Sequence, residues 1–131
     1  MSREVSIKSA DTSAKLEFLD VKGEYFTVVF SSVTLSASQQ VWGYTDCRQI
    51  ANLFQEMAQS WKGWEGAKTW GSIEGEFNLA CTLDKLGHVT LEVDLVERDT
   101  SEPWSTKFNI QIEAGQLEKI ANEMITLFGK C

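Results

Sequence analysis

Between Phe77 and Val96, apolar and polar residues alternate on both sides of the tripeptide Lys85-Leu86-Gly87, and this pattern limits the fold more than any other. Ile73, Phe77, Leu79, Cys81 and Leu83 share one face of an extended segment, while Glu74, Glu76, Asn78 and Thr82 share the other. Asp84 to His88 encloses a three-residue hairpin loop, with Gly87 where a bulged type I turn needs a left-handed residue. The loop sets a register of Leu83 opposite Val89, Cys81 opposite Leu91, Leu79 opposite Val93 and Phe77 opposite Leu95. On the other face it pairs Thr82 with Thr90 and Glu74 with Arg98. A second hairpin turns near Asp99 to Glu102. Matching its faces sets Trp104 opposite Leu95, Thr106 opposite Val93, Phe108 opposite Leu91 and Ile110 opposite Val89, with Glu92 meeting Lys107. Pro103, at the start of a strand, costs little there.

Upstream, residues 4–9 and 15–20 alternate briefly and predict two strands, with Lys22-Gly23 as a turn. From Glu24 to Val41 the apolar set changes parity, from Phe26, Val28 and Phe30 to Val33, Leu35 and Ala37. One extra residue near Ser31 or Ser32 explains this, either as a β-bulge or as a tight turn between two strands. Thr45 or Asp46 is the expected cap of a helix whose buried stripe runs Cys47, Ile50, Phe54, Met57 and Trp61. A second helix, about Gly115 to Phe128, buries Leu117, Ile120, Ala121, Met124, Leu127 and Phe128, with Gly129 as its C′ residue.

The order is thus a β-rich half, a helix, three strands and a helix. It predicts a single two-layer α+β domain over residues 1–131, with two amphipathic helices on one face of a mainly antiparallel sheet of about 6–7 strands. Both helices carry Ile-Ala-Asn, at Ile50 to Asn52 and Ile120 to Asn122, which raises a duplicated β-then-α half as an alternative.

The net charge of −7, with Lys and Arg scattered, argues against a nucleic-acid backbone as partner and for a basic one. No apolar run reaches the ~20 residues of a spanning helix, and the N-terminus has no signal-like apolar region, so a cytoplasmic protein away from membranes is expected. Three cysteines without a C-x-x-C are expected as reduced thiols, and no metal or cofactor is signalled.

Candidate chemistry is sparse. Glu74, Glu76, Glu92 and Asp94 on neighbouring strands form an acidic surface; the plainer reading is the wet side of a sheet, partly neutralised by Arg98 and Lys107. Cys47 at a helix start and His88 are a conceivable nucleophilic pair that no spacing brings together. Trp64 and Trp70, rimmed by Lys62, Glu65 and Lys68, either plug the core or anchor a ligand or partner. With no catalytic constellation, the chain is expected not to be an enzyme.

The stretch W-x-x-W-E-G-x-x-x-W-x-S-I-E-G-E-F-x-L from Trp61, then L-G-H-V-T-L-E-V and E-A-G-Q-L-E-x-I-A, resembles a small bacterial family of unknown function with a G-W-E-G…W-x-S-x-E motif. The resemblance covers about residues 25–128, is most specific from Gly63 to Glu74, and implies no catalytic residue. In architecture the chain is also similar to immunity proteins of contact-dependent toxins, and such small domains are common cargo of mobile elements. The expected function is therefore an immunity- or antitoxin-like interaction protein that blocks a basic protein partner such as a toxin. The alternative is a small-molecule binder with an apolar pocket walled by Trp61, Trp64, Trp70 and Trp104. A homodimer through an uncovered sheet face or edge suits either reading.

Overall fold

A computed structural model describes residues 4–44 and 47–129. Strands β1 (Glu4–Lys8), β2 (Lys15–Lys22), β3 (Tyr25–Ser31) and β4 (Ser36–Trp42) lead into helix α1 (Arg48–Gln59). Strands β5 (Lys68–Gly71), β6 (Phe77–Leu83), β7 (His88–Glu97) and β8 (Trp104–Glu113) lead, through a 3₁₀ turn at Ala114–Gln116, into helix α2 (Leu117–Phe128). The strands form two four-stranded antiparallel sheets, ordered β1-β2-β3-β4 and β5-β6-β7-β8. This corrects the single sheet of 6–7 strands: alternation reports which side chains face inward, not which sheet carries them. It also adds a fourth strand, β5, inside the tryptophan-rich segment.

The two halves share one topology and exchange partners in matching ways. Helix α1, from the first half, contacts β5, and α2, from the second, contacts β1. Strand β4 meets β7, and its counterpart contact, β8 with β3, is made by Phe30 and Phe108, stacked with ring centroids 3.7 Å apart. The helices pack against each other, and Ile50, Ala51, Ile120 and Ala121 of the shared tripeptides are all buried. Each half is four antiparallel strands followed by a helix, the β-then-α order named in the duplicated-half alternative.

One core joins the halves. Phe18 and Phe26 of the first sheet, Phe77 of the second, Phe54 of α1 and Phe128 of α2 are fully buried. Phe18 lies 6.2, 6.5, 6.0 and 6.2 Å, centroid to centroid, from Phe26, Phe54, Phe77 and Phe128. Tilted and edge-on rings at such spacings add to the stabilisation from burial alone.

The parity change after Phe30 is a turn. Ser32 N–H and Leu35 C=O bond at 2.8 Å, and the Ser32 hydroxyl accepts the N–H groups of Thr34 and Leu35. Val33, 88% exposed, sits at its tip, outside the apolar set assigned to it from the sequence. The expected caps Thr45 and Asp46 lie outside the described residues. Trp61 follows α1 and is 56% exposed, so it ends the stripe in solvent. Gly129 keeps a helical φ of −62° and is not a left-handed C′ residue.

The β6–β7 register agrees with the expected one at all four inner pairs. Gly87 has φ +85°, and Asp84 Oδ1 accepts the N–H groups of Leu86 and His88 at 2.8 and 2.9 Å. Those bonds, His88 first, hold the Asp84 carboxyl below the usual carboxylate range. The β7–β8 pairing slips by two residues: Leu95 faces Thr106 and Val93 faces Phe108, while Glu97 faces Trp104. A two-residue slip preserves every inward and outward assignment. Cys81 is a free, buried thiol, whereas Cys47 is disulfide-bonded, which departs from the reduced thiols expected.

Candidate functional site

The site begins with a tight turn between β5 and β6. Ser72, which is buried, accepts the N–H groups of Gly75 (on its carbonyl, 3.0 Å) and Phe77 (on its hydroxyl, 3.1 Å), and its own N–H donates to Phe77 O. The turn needs a left-handed residue, and Gly75 supplies it at φ +75°. A side chain there would also meet Arg98, whose Nη1 lies 3.2 Å from the place of a Cβ. Arg98 Nη1 donates to the Glu74 carbonyl at 2.9 Å and so clamps the turn to the end of β7. Glu74 and Glu76 thus lie in a turn, not on a strand as expected, and Arg98 reads the Glu74 backbone instead of pairing with its carboxylate.

Glu76 ties the two halves together. One carboxylate oxygen accepts the Ser72 hydroxyl, and the other accepts the Trp42 backbone N–H at 3.4 Å. Gln39, also on β4, donates from Nε2 to Val96 O at 2.8 Å and to Glu97 Oε2 at 3.3 Å. Between these ties and the β7 terminus lies an open groove of ≈ 470 Å³, lined by Tyr25, Gln39, Gln40, Trp42, Glu74, Glu76, Val96, Glu97, Arg98 and Asp99. Its charged lining is the carboxylates of Glu74, Glu76, Glu97 and Asp99 against the one guanidinium of Arg98. The Trp42 ring forms an edge contact with Tyr44 at 5.5 Å and donates Nε1–H to Glu24 at 3.1 Å, so an aromatic wall stands beside the acids.

The structure brings Glu74 and Glu76 into this groove and places the other candidates elsewhere. Glu92 and Asp94 lie on the outer face of the second sheet, each 3.8 Å from Lys107 Nζ, and line a smaller groove of ≈ 270 Å³ that runs along β5 past Trp70. Trp64 is half-buried: its Nε1–H donates to Cys81 O at 3.1 Å, and Lys68 sits over its ring at 5.8 Å. It bonds β6 at Cys81, where the pairing with β5 ends at Lys68. Trp70 packs into the core against Phe26 and Phe77, 6.1 and 5.8 Å away. Trp61 and Trp104 are exposed on other elements. The four tryptophans of the pocket reading are therefore spread over the molecule. His88 keeps company with Asp84 (3.1 Å) and Glu113 (3.8 Å), not with Cys47.

Gln39, Trp42, Tyr25, Glu97 and Asp99 were not singled out from the sequence. Gln39 carried a signal, being a polar residue on the inward parity of β4, between Ala37 and Val41. Among the described residues, no group of three or more His, Cys, Asp or Glu side chains could hold a metal ion. Nor is any helix among them long and apolar enough to cross a membrane.

The chain belongs to the family of unknown function DUF6228, whose model matches residues 4–130. No curated protein is significantly similar to it in sequence. A solved structure titled as those of Trypanosoma bruciei MRP1/MRP2 is similar over 97% of this chain and 84% of that one, at 12% identity and a TM-score of 0.46.

Proposed function

We propose that the protein is a non-enzymatic binding module that takes a basic segment of a protein partner in the groove between its two sheets, as an immunity- or antitoxin-like domain blocks a cationic toxin. The observation that carries this reading is the groove's lining, four carboxylates to one guanidinium beside an aromatic wall. Arg98 is committed to the Glu74 carbonyl, so it does not neutralise the carboxylates by direct pairing. An incoming lysine or arginine gains both a carboxylate and a ring face, a combination worth more than either in a partly desolvated cleft. The overall charge of −7 adds steering, which raises the association rate of a cationic partner at low salt.

The test is titration with an arginine- and lysine-rich peptide by calorimetry, at low and at physiological salt. Glu74 and Asp99 are exposed, so the double variant Glu74→Gln/Asp99→Asn leaves the fold intact. Each exposed carboxylate contributes about 0.2–1 kcal/mol, so the pair should weaken binding by roughly 2–30-fold, and salt should weaken the wild type more than the variant. No binding at low salt, or an affinity unmoved by the double variant, would sink the reading. The small-molecule alternative loses its proposed wall, because Trp70 is absorbed by the core and Trp61 stands in solvent.

A further inference from the structure

The outer edge of β8 carries a run of backbone groups without a backbone partner. Strands β4 and β8 are counterparts, each the last strand of its sheet. On β4 two of the N–H groups that point away from β3 are taken up by side chains: Trp42 N–H by the Glu76 carboxylate, and Gln40 N–H by the Gln39 side chain at 2.9 Å. On β8, Gln111 O accepts Ala10 N–H at 2.8 Å, which shows that Gln111 turns its backbone groups away from β7. By alternation, Ser105, Lys107 and Asn109 do so too. Among the described residues, none of these three has a backbone partner on that side, and all three are exposed. Pro103, which has no N–H, closes the window at one end, and Ala10 closes it at the other.

We infer that this window pairs with the same window of a second copy, antiparallel across a two-fold axis, joining the two second sheets edge to edge. Charge rules out one register. Setting Lys107 opposite the second copy's Lys107 opposes like charges. Moving two residues away from that register puts Ser105 opposite the second copy's Lys107, and each Lys107 stays with its own Glu92 and Asp94 at 3.8 Å. Ser105 and Lys107 then exchange N–H···O=C bonds in both directions. On the other side of the strand, Thr106 meets the second copy's Thr106 on the axis, and Trp104 meets the second copy's Phe108. Both are favourable cross-strand pairs, and the second gives a partner to Trp104, a large ring left 38% exposed in the single chain. The bounded window favours a closed pair over a filament, since pairing leaves no further open edge on β8. The contact is smaller than the ~1,600 Å² of a standard interface, so the dimer is concentration-dependent.

Sedimentation equilibrium of the full chain up to about 1 mM tests this, a range in which a Kd of 1 mM or tighter is visible. The weight-average mass of the wild type should rise from 14.7 kDa towards twice that value. Ser105→Pro, which removes an outward N–H that no strand of its own sheet uses, should stay at 14.7 kDa. Should that variant melt below the wild type, Trp104→Asp, at an exposed side chain, serves in its place by setting a carboxylate against the second copy's Phe108. A wild type that stays monomeric across the range overturns the inference, and so does association that persists in a folded Ser105→Pro or Trp104→Asp variant.

Discussion

If one core joins the two halves, a perturbation at Phe18 must be felt in the sheet that does not contain it. Phe18 lies on β2, is fully buried, and has rings from the first sheet, the second sheet and both helices within 6.5 Å. Phe18→Ala removes that ring from a site with several rigid walls, so little collapse is available to fill the cavity, and the cost should be about 3–5 kcal/mol. For 131 residues the unfolding entropy near the midpoint is about 0.28 kcal/mol/K. A loss of ~4 kcal/mol therefore lowers Tm by about 14 °C, which most domains of ~5–15 kcal/mol stability survive. The assay is native-state hydrogen exchange followed by peptide mass spectrometry. Amides of β6 and β7 that exchange only by global opening should lose as much protection as those of β2 and β3. If protection in β6 and β7 stays at the wild-type level while β2 and β3 lose theirs, the halves open independently and the shared-core argument is wrong.

Gly75→Ala forces a left-handed φ of +75° on a residue with a Cβ and presses that atom to 3.2 Å from Arg98 Nη1. The variant should lose about 1–3 kcal/mol, read as a lower urea midpoint, and adding Arg98→Ala should recover none of the part due to φ; an unchanged midpoint would contradict the turn geometry. Burial pushes the Cys81 thiol from 9.0 up to about 12. The folded pKa is thus above the unfolded one, so its contribution is complete below pH 9 and declines as pH rises from 9 towards 12. Between pH 9 and 10 this costs about 1 kcal/mol. Urea titrations at the two pH values should show that loss in the wild type and a smaller loss in Cys81→Ala, whereas equal losses would mean that Cys81 titrates normally.

What the sequence disclosed depended on whether a local residue fixed the geometry. The β6–β7 register was legible because Gly87 and Asp84 leave a three-residue loop no other closure. The β7–β8 register was not, because the connection from Arg98 to Pro103 has no such residue and a two-residue slip costs nothing in the inside-outside pattern. Strand β5 was missed because it is four residues long and contains Gly71. Glu74 and Glu76 were visible as paired carboxylates, yet their setting was not. Strand alternation carried through Ile73 to Glu76, and Ser72, by accepting Phe77 N–H, together with Gly75 at φ +75°, breaks it into a turn. Trp42 and Gln39 reach the site from the other half, and no pattern along the chain connects them to Glu76.

The groove lies where the two halves solve one problem differently. In each half the loop between the first two strands must be fastened to the last strand of the other half. The β1–β2 loop does this with backbone, Ala10 N–H to Gln111 O at 2.8 Å, so the chains lie flush and the contact is neutral. The β5–β6 turn does it with a side chain, the Glu76 carboxylate receiving Trp42 N–H at 3.4 Å and the Ser72 hydroxyl. A side-chain tie holds the turn a carboxylate's length away from β4 and brings a charge with it, which leaves both the space and the sign of the groove. An acceptor for Trp42 N–H alone could have been a neutral glutamine. Accepting the Ser72 hydroxyl as well uses both carboxylate oxygens, which a glutamine with its single acceptor cannot match, so the tie itself brings a negative charge to this junction beside Glu74, Glu97 and Asp99.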